Sequence, residues 1–368
     1  MKTIGIIGST GSIGKSTLKV LGKNKRKFKL LFLGTYKNYK SLIFQKKKYL
    51  PKDIFLIKKN KYKNHSIKTP LEVFKKYKNK KVDYIVSGIS GYDAIEINLE
   101  LLKITRNLLI ANKETIICGG RYFLNKAKKN NCNIIPIDSE HYCLDTFLKN
   151  YKHKNSDIDK VYLIASGGPF LEKKIKYNEK IKNVLNHPTW KMGDKISIYS
   201  SNLSNKVLEL FEAKILFNIH PKKLKILIEK KSFFHAIIKL FNNIYFPLFH
   251  KPDMKLTISN SLNLKNNIDL SIENKKINFL KPDKQKFPLI KVGYKILNNY
   301  SDAGMIIFTV LNERLSKKFL DGHIKYGDIT TFLVKKFNNK NIDKIAKKNI
   351  NSLGKIKQII KYANEINI

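Results

Sequence analysis

Asp138 and Glu140 stand two residues apart, just past an apolar run at residues 134–137. Two carboxylates so spaced can share a hard cation, Mg²⁺ or Mn²⁺, through oxygen donors. A third acid is needed, and Glu209 or Glu212, in a later helical pattern, can supply it. His141, next to the pair, reads as a structural neighbour. Asn112-Lys113-Glu114 follows a second apolar run at residues 108–111. A lysine at a strand end can contact substrate oxygens, and the asparagine and glutamate a nicotinamide or its ribose. Ser166-Gly-Gly-Pro-Phe170 offers a hydroxyl and open backbone N–H groups, suited to a phosphate or hydroxyl group. His187-Pro-Thr-Trp190-Lys-Met-Gly193 holds the only tryptophan and reads as a loop that covers a ligand. The plainer alternative for Trp190 is a core residue. Ser200, Asn205 and Lys206 lead into a helical pattern, where a hydroxyl, an amide and an ammonium make a phosphate site. Taken singly, each of these runs also has a bland reading as a solvated turn.

The run Gly8-Ser-Thr-Gly11-Ser-Ile-Gly14 lies between a strand pattern and a helix pattern. Small residues there let backbone N–H groups approach a pyrophosphate at a helix N-terminus. The rival is a nucleotide-triphosphate loop ending in Gly14-Lys15-Ser16, but its first glycine would fall on Ser9. NAD binders carry an acid about 20 residues past the glycine loop to hold the ribose hydroxyls. Here the second strand runs into Lys37 and Asn38 with no acid, which favours NADP by charge.

These residues need a scaffold. Apolar runs at residues 3–8, 29–33, 54–57, 84–86, 108–111 and 134–137 alternate with helical patterns, one of them at 12–21. Such alternation predicts a doubly wound parallel sheet, here over residues 1–148. A second set follows, with strands expected at 161–165, 196–199 and 226–228, a hairpin of 234–240 with 244–246 around Asn242-Asn243, and a helix over 202–217. This predicts an α+β catalytic and dimerisation domain over 149–262, with a mobile lid at 186–195. A Lys/Asn-rich linker is expected at 263–286 and a small helical domain at 287–368.

The net charge of +45 resembles that of nucleic-acid binders, but among 73 Lys and Arg residues the only arginines are Arg26, Arg106, Arg121 and Arg314. Readers of nucleic acid favour arginine for its bidentate fork. The lysines also spread along the whole chain, as expected of AT-rich coding drift. We expect no nucleic-acid partner, although a basic surface steers anionic substrates inward. No run reaches the ~18 apolar residues of a membrane helix, and the opening MKTIGIIG leaves no room for a leader peptide. Cys118, Cys132 and Cys143 fall in no ligand or paired spacing, which suits the cytoplasm.

Taken together, GSTGSIG at 8–14, ANKE at 111–114, PIDSEH at 136–141, SGGPF at 166–170, HPTWKMG at 187–193 and NKVLELFEA at 205–213 resemble the 1-deoxy-D-xylulose 5-phosphate reductoisomerase family. Their order and spacing fit over residues 1–258, and Pro252-Asp-Met254 and Asn312-Glu313 extend the match. The resemblance implies a Rossmann-like NADPH-binding domain and a homodimer. It implies metal-binding and catalytic roles for Asp138, Glu140 and Glu209 with Mg²⁺ or Mn²⁺ (or Co²⁺), and a catalytic role for Lys113. Lys113, Ser139, Glu140, Ser166, His187, Ser200, Asn205, Lys206 and Glu209 would contact the sugar phosphate. Thr10, Gly11, Ser12, Ile13, Lys37, Asn38, Asn112, Glu114 and Gly193 would contact NADPH. The implied reaction is a carbon-skeleton rearrangement by retro-aldol and aldol steps with the metal as Lewis acid, then hydride reduction to 2-C-methyl-D-erythritol 4-phosphate. Three departures stand out. Tyr36 replaces the glycine before Lys37, residues 199–204 (YSSNLS) replace DSATMM, and residues 229–235 (EKKSFFH) replace HPQSVIH. A basic nucleic-acid-binding protein and another NADP-linked reductase are the alternatives.

Overall fold

The apolar runs become strands and the periodic segments between them become helices, in a computed structural model that describes residues 1–58, 67–151, 156–265, 277–339 and 342–368. The chain opens with β1 (Lys2–Ile7), α1 (Ser12–Lys23), β2 (Phe28–Thr35), α2 (Tyr39–Tyr49), β3 (Asp53–Leu56), α3 (Pro70–Lys75) and β4 (Val82–Ser87). It continues through α4 (Ile95–Ile104), β5 (Thr105–Ile110), α5 (Lys113–Lys129), β6 (Asn133–Pro136) and α6 (Ser139–Asn150). Next come β7 (Ile158–Ala165), α7 (Ile181–Leu185), α8 (Asp194–Ser201), α9 (Ser204–Phe217), β8 (Leu224–Ile228), β9 (Phe234–Leu240), β10 (Tyr245–Phe249) and α10 (Met254–Ser261). Five helices close the chain: α11 (Leu289–Asn299), α12 (Asp302–Leu320), α13 (Tyr326–Asn338), α14 (Asp343–Ala346) and α15 (Leu353–Glu365).

Packing groups these elements into two units, one of Met1–Thr115, Phe123–Tyr142 and Asp253–Ile268, the other of Ile116–Tyr122, Cys143–Pro252 and Asp269–Ile368. In the first, six parallel strands run in the order β3-β2-β1-β4-β5-β6. Strands buried on both faces explain the continuous apolar runs: Ile4, Ile6, Leu33, Val86 and Leu109 meet in one core cluster. Ile258, Leu262 and Leu264 join that cluster and α10 packs on α1, so a segment that sequence places with the catalytic domain is held by the core of the first unit.

The second unit contains a four-stranded mixed sheet, β10-β9-β7-β8, with the expected hairpin turning at Asn243 in a left-handed conformation. Residues 196–199, expected as a strand, lie instead within α8. A run as short as Ile196-Ser-Ile-Tyr199 fits either period, and here Gly193 at the N-cap and Asp194 in the first turn start a helix. The third segment is helical, as expected, with α12 packed on α15, α13 and α14. Of the linker expected at 263–286, residues 266–276 lie outside the described residues. At its far end Leu280 bridges Ile228 of β8. Among the described residues no helix is long and apolar enough to cross a membrane.

Candidate active site

In the first unit the chemistry-bearing turns leave the same ends of neighbouring parallel strands. The strand order reverses direction between β1 and β4, and that switch point is where open α/β sheets bind ligands. The glycine turn sits there. Gly8 has φ +78, and a Cβ on it would meet the Gly88 carbonyl oxygen at 2.5 Å. A Cβ on Gly14 would meet the Gly8 oxygen at 2.4 Å, so both positions accept only glycine without movement. Gly11 is the N-cap of α1 and supplies no capping side chain. The first N–H groups of α1, at Ser12 and Ile13, are thereby left for an anion. Thr10 is steadied by a 2.6 Å contact between its hydroxyl and that of Thr35 at the end of β2. Lys37 and Asn38 are exposed beyond β2, and Asn38 accepts from Ser41 N as the cap of α2. Tyr36, at the family's glycine position, is half exposed and its carbonyl accepts from Lys58 N.

Asn112 is buried, and its carboxamide is committed to the scaffold. It donates to the carbonyls of Ile89 (2.7 Å) and Gly91 (3.1 Å) and accepts from Thr115 N. Both Nδ2 protons of Asn112 are thereby used, which leaves its Oδ1 and its backbone for further contacts. The next residue, Lys113, is buried and reaches Asp138 with Nζ to Oδ2 at 2.7 Å. Glu114, also buried, follows in the first turn of α5. Asp138 ends the β6 turn, and its carbonyl accepts from Tyr142 N as α6 begins. The Ser139 hydroxyl donates to Glu140 at 2.6 Å. The His141 ring is buried, 3.9 Å from the Asp138 carboxylate.

The second unit gathers the remaining candidates on β7, α8, α9 and the loop before α8. Glu209 is almost fully buried on α9, where Asn205 donates to one carboxylate oxygen and Lys206 pairs with the other at 2.5 Å. Lys206 is anchored in turn on the Ile164 carbonyl of β7 at 2.7 Å. Gly168 has φ +66, and a Cβ there would meet the Ser200 carbonyl at 2.6 Å, so the SGGPF turn lies directly against the end of α8. His187 Nδ1 accepts from the backbone N–H of Thr189 (3.2 Å) and Trp190 (2.9 Å). A neutral ring then carries its proton on Nε2 and donates it to the Ser166 hydroxyl at 3.0 Å. Burial pushes the His187 pKa down to about 4, which keeps the ring neutral. Trp190 is half-buried with its ring edge-on to His235, centroids 6.3 Å apart. Gly193 is exposed at the α8 N-cap with open space around it.

Sequence reading missed several supporting residues. Buried Asn312 on α12 donates to the Ser204 hydroxyl at the start of α9. Lys195 in the first turn of α8 meets Glu313 at 3.5 Å. Glu229 stands where the family has histidine, and its carboxylate accepts from Lys231 N and Phe233 N. That carboxylate holds the turn whose packing the lost His-Pro left open. Ser87, Asn98 and Thr115 form a buried chain of hydrogen bonds linking β4, α4 and α5. Asn312-Glu313 and Glu229 are marked in the sequence, as a family motif and as a departure from one, but without these partners.

The donor set suits the groups expected of it. Asp138, Glu140 and Glu209 offer only carboxylate oxygens, the preference of Mg²⁺ and Mn²⁺ rather than of a thiolate-seeking metal. The uncapped α1 terminus and the Gly8–Gly14 turn suit a dinucleotide pyrophosphate.

Comparison with known proteins follows the same lines. The family profile described as 1-deoxy-D-xylulose 5-phosphate reductoisomerase matches residues 4–120. Its C-terminal domain profile matches 134–217, and the DXP reductoisomerase C-terminal domain profile matches 249–366. The 1-deoxy-D-xylulose 5-phosphate reductoisomerase of Pelagibacter ubique is 38% identical, covering 99% of this chain and 98% of its own. That of Clostridium novyi is 34% identical, covering 98% and 99%. A crystal structure of DOX-P reductoisomerase with NADPH, fosmidomycin and magnesium superposes with a TM-score of 0.90 at 27% identity, covering 99% of this chain and 97% of that one.

Proposed function

The chain belongs to the 1-deoxy-D-xylulose 5-phosphate reductoisomerase family, and from that premise we propose that it converts 1-deoxy-D-xylulose 5-phosphate to 2-C-methyl-D-erythritol 4-phosphate with NADPH and a divalent metal, within the non-mevalonate route to isoprenoid precursors. The reading is supported by the Asp138 and Glu140 carboxylates in the first unit and the Glu209 carboxylate in the second, each beside a lysine or serine, together with 38% identity over nearly the full length of the Pelagibacter ubique enzyme. A bound ion supplies Lewis acidity to the substrate's carbonyl and hydroxyl oxygens, and bound NADPH supplies the hydride.

The chain's own residues do the rest. Asp138, Glu140 and Glu209 are proposed to hold the ion. Lys113, paired with Asp138, is proposed to carry positive charge against an oxygen that becomes negative as the carbon skeleton breaks and re-forms. Ser166 accepts from His187 and from Gly168 N, so its own proton is left for a substrate oxygen. Ser139, Ser200, Asn205 and Lys206 are proposed to bind the substrate's polar groups, with the phosphate taken near the start of α9. Thr10, Gly11, Ser12 and Ile13 are proposed to hold the NADPH pyrophosphate and Lys37 and Asn38 its 2′-phosphate, with Asn112, Glu114 and Gly193 along its nicotinamide half. By role, we propose an NADPH-binding part at 1–148, a catalytic and dimerisation part at 149–262 and a helical part from 287. We also propose a homodimer in the cytoplasm that binds neither nucleic acid nor membrane. The exposed Phe241, Ile244 and Tyr245 beside β10 support an apolar partner surface.

The test is loss of NADPH absorbance with substrate and Mg²⁺. Turnover is expected in the native chain and none in Glu209→Gln, with NADPH affinity of the variant unchanged. Metal-dependent turnover surviving in all three single carboxamide variants of Asp138, Glu140 and Glu209 would overturn the assignment. A native chain that reduces other carbonyl substrates equally well would favour the broader reductase.

A further inference from the structure

Between α1 and α2 of the first unit lies an open groove of about 480 Å³. Its walls follow helical spacing. Lys15 and Lys19 lie four residues apart on α1, and Lys40, Phe44 and Lys48 lie four apart on α2. All five are exposed, and among the described residues none of the four lysines has an acidic partner. A second stripe of α2, made by Ser41, Gln45 and Tyr49, lies beside the first. Gln45 is 6% exposed. Its Nε2 donates to the Ser9 carbonyl at 2.8 Å, while its Oε1 accepts from no group among the described residues. A buried amide oxygen of this kind favours a donor from a ligand.

These features read together. Four clustered ammonium groups favour a multiply charged phosphate chain. An exposed phenyl ring and a tyrosine give a base a π-face to lie on. Gln45 lines the groove, and its covered amide oxygen would accept an N–H of the kind a nucleobase edge presents once a ligand uncovers it. A volume of this size falls within the usual range for small-molecule sites. We propose that this groove is a second nucleotide site, specific for a nucleoside polyphosphate and separate from the NADPH crevice. Through Gln45 it touches Ser9, a member of the glycine turn, so an occupant is placed to alter the hold on the cofactor pyrophosphate. Only that last coupling rests on the cofactor reading above.

The experiment is calorimetric titration of ATP into the full-length chain saturated with NADPH, without divalent metal. One equivalent of ATP is expected to bind, with inorganic triphosphate binding at least tenfold more weakly. The variant Lys19→Glu/Lys48→Glu, altered at exposed positions, is expected to lose at least tenfold in ATP affinity while its NADPH affinity and melting temperature are unchanged. ATP that competes with NADPH would overturn the proposal, since the cofactor crevice would then be its site. Equal affinity for ATP and triphosphate would overturn it too, by showing a surface that reads charge alone. So would an unchanged ATP affinity in the double variant. Because binding is read as heat, the result stands apart from the success or failure of the reductoisomerase assay.

Discussion

At the scale of single residues, His187 joins a loop to a sheet end. Its Nδ1 collects two backbone N–H groups and its Nε2 faces Ser166. Protonation would place a hydrogen on Nδ1 and break both loop contacts. Burial holds the folded pKa at about 4 against an ordinary value of 6.5. Above pH 6.5 both states are neutral and the contribution to stability is complete. As pH falls, the unfolded chain takes up a proton that the folded site refuses, so the contribution is lost progressively between 6.5 and about 4. The difference in melting temperature between the native chain and His187→Asn is therefore expected to shrink over that window. A difference that stays constant from pH 7 to pH 4 would show that the imidazole is not held neutral.

At the scale of elements, α9 carries Asn205, Lys206 and Glu209, so its position sets theirs. Gly293 of α11 sets that position, because a Cβ there would meet Val207 Cγ1 on α9 at 2.6 Å. A β-branched side chain in a helix has little freedom to turn away. Gly293→Ala is expected to cost about 1–3 kcal/mol in chemical unfolding and to lower turnover as α9 shifts. Gly22, near the end of α1, has nothing within 4 Å of its would-be Cβ. Gly22→Ala is expected to stabilise by about 0.5–1 kcal/mol, and equal effects at both sites would refute the close-approach argument. The 186–195 loop is the second such element. With Trp190 half-buried and edge-on to His235, we expect its emission to shift when NADPH, Mg²⁺ and a substrate analogue close the loop. Trp190→Ala should then reduce turnover more than stability. An unchanged spectrum with a large loss of stability would identify a packing residue instead.

At the scale of the whole molecule, the charge of +45 acts at a distance. It is expected to raise the encounter rate with an anionic sugar phosphate, an effect that salt screens over about 8 Å at physiological ionic strength. Raising NaCl should therefore lower kcat/KM for the sugar phosphate and leave kcat nearly unchanged. A kcat/KM independent of salt would show that the lysines contribute nothing to capture. Tight, steeply salt-dependent binding of duplex DNA would revive the nucleic-acid reading.

Local patterns in the sequence determined the parallel sheet, the glycine turn and the hairpin, because strand burial and helix starts depend on neighbours along the chain. Residues 196–199 form part of a helix where the alternation of Ile196, Ser197 and Ile198 predicts a strand, because four residues are too few to fix a period. The tertiary structure alone decided what depends on distant partners. Asn112 spends its carboxamide on Ile89 and Gly91, and Asn312 reaches Ser204 across more than a hundred residues of chain. Glu229 caps its own turn by accepting from Lys231 N and Phe233 N. Hydrogen bonds that saturate a buried polar group leave no periodic mark, since their partners are chosen by the fold and not by spacing.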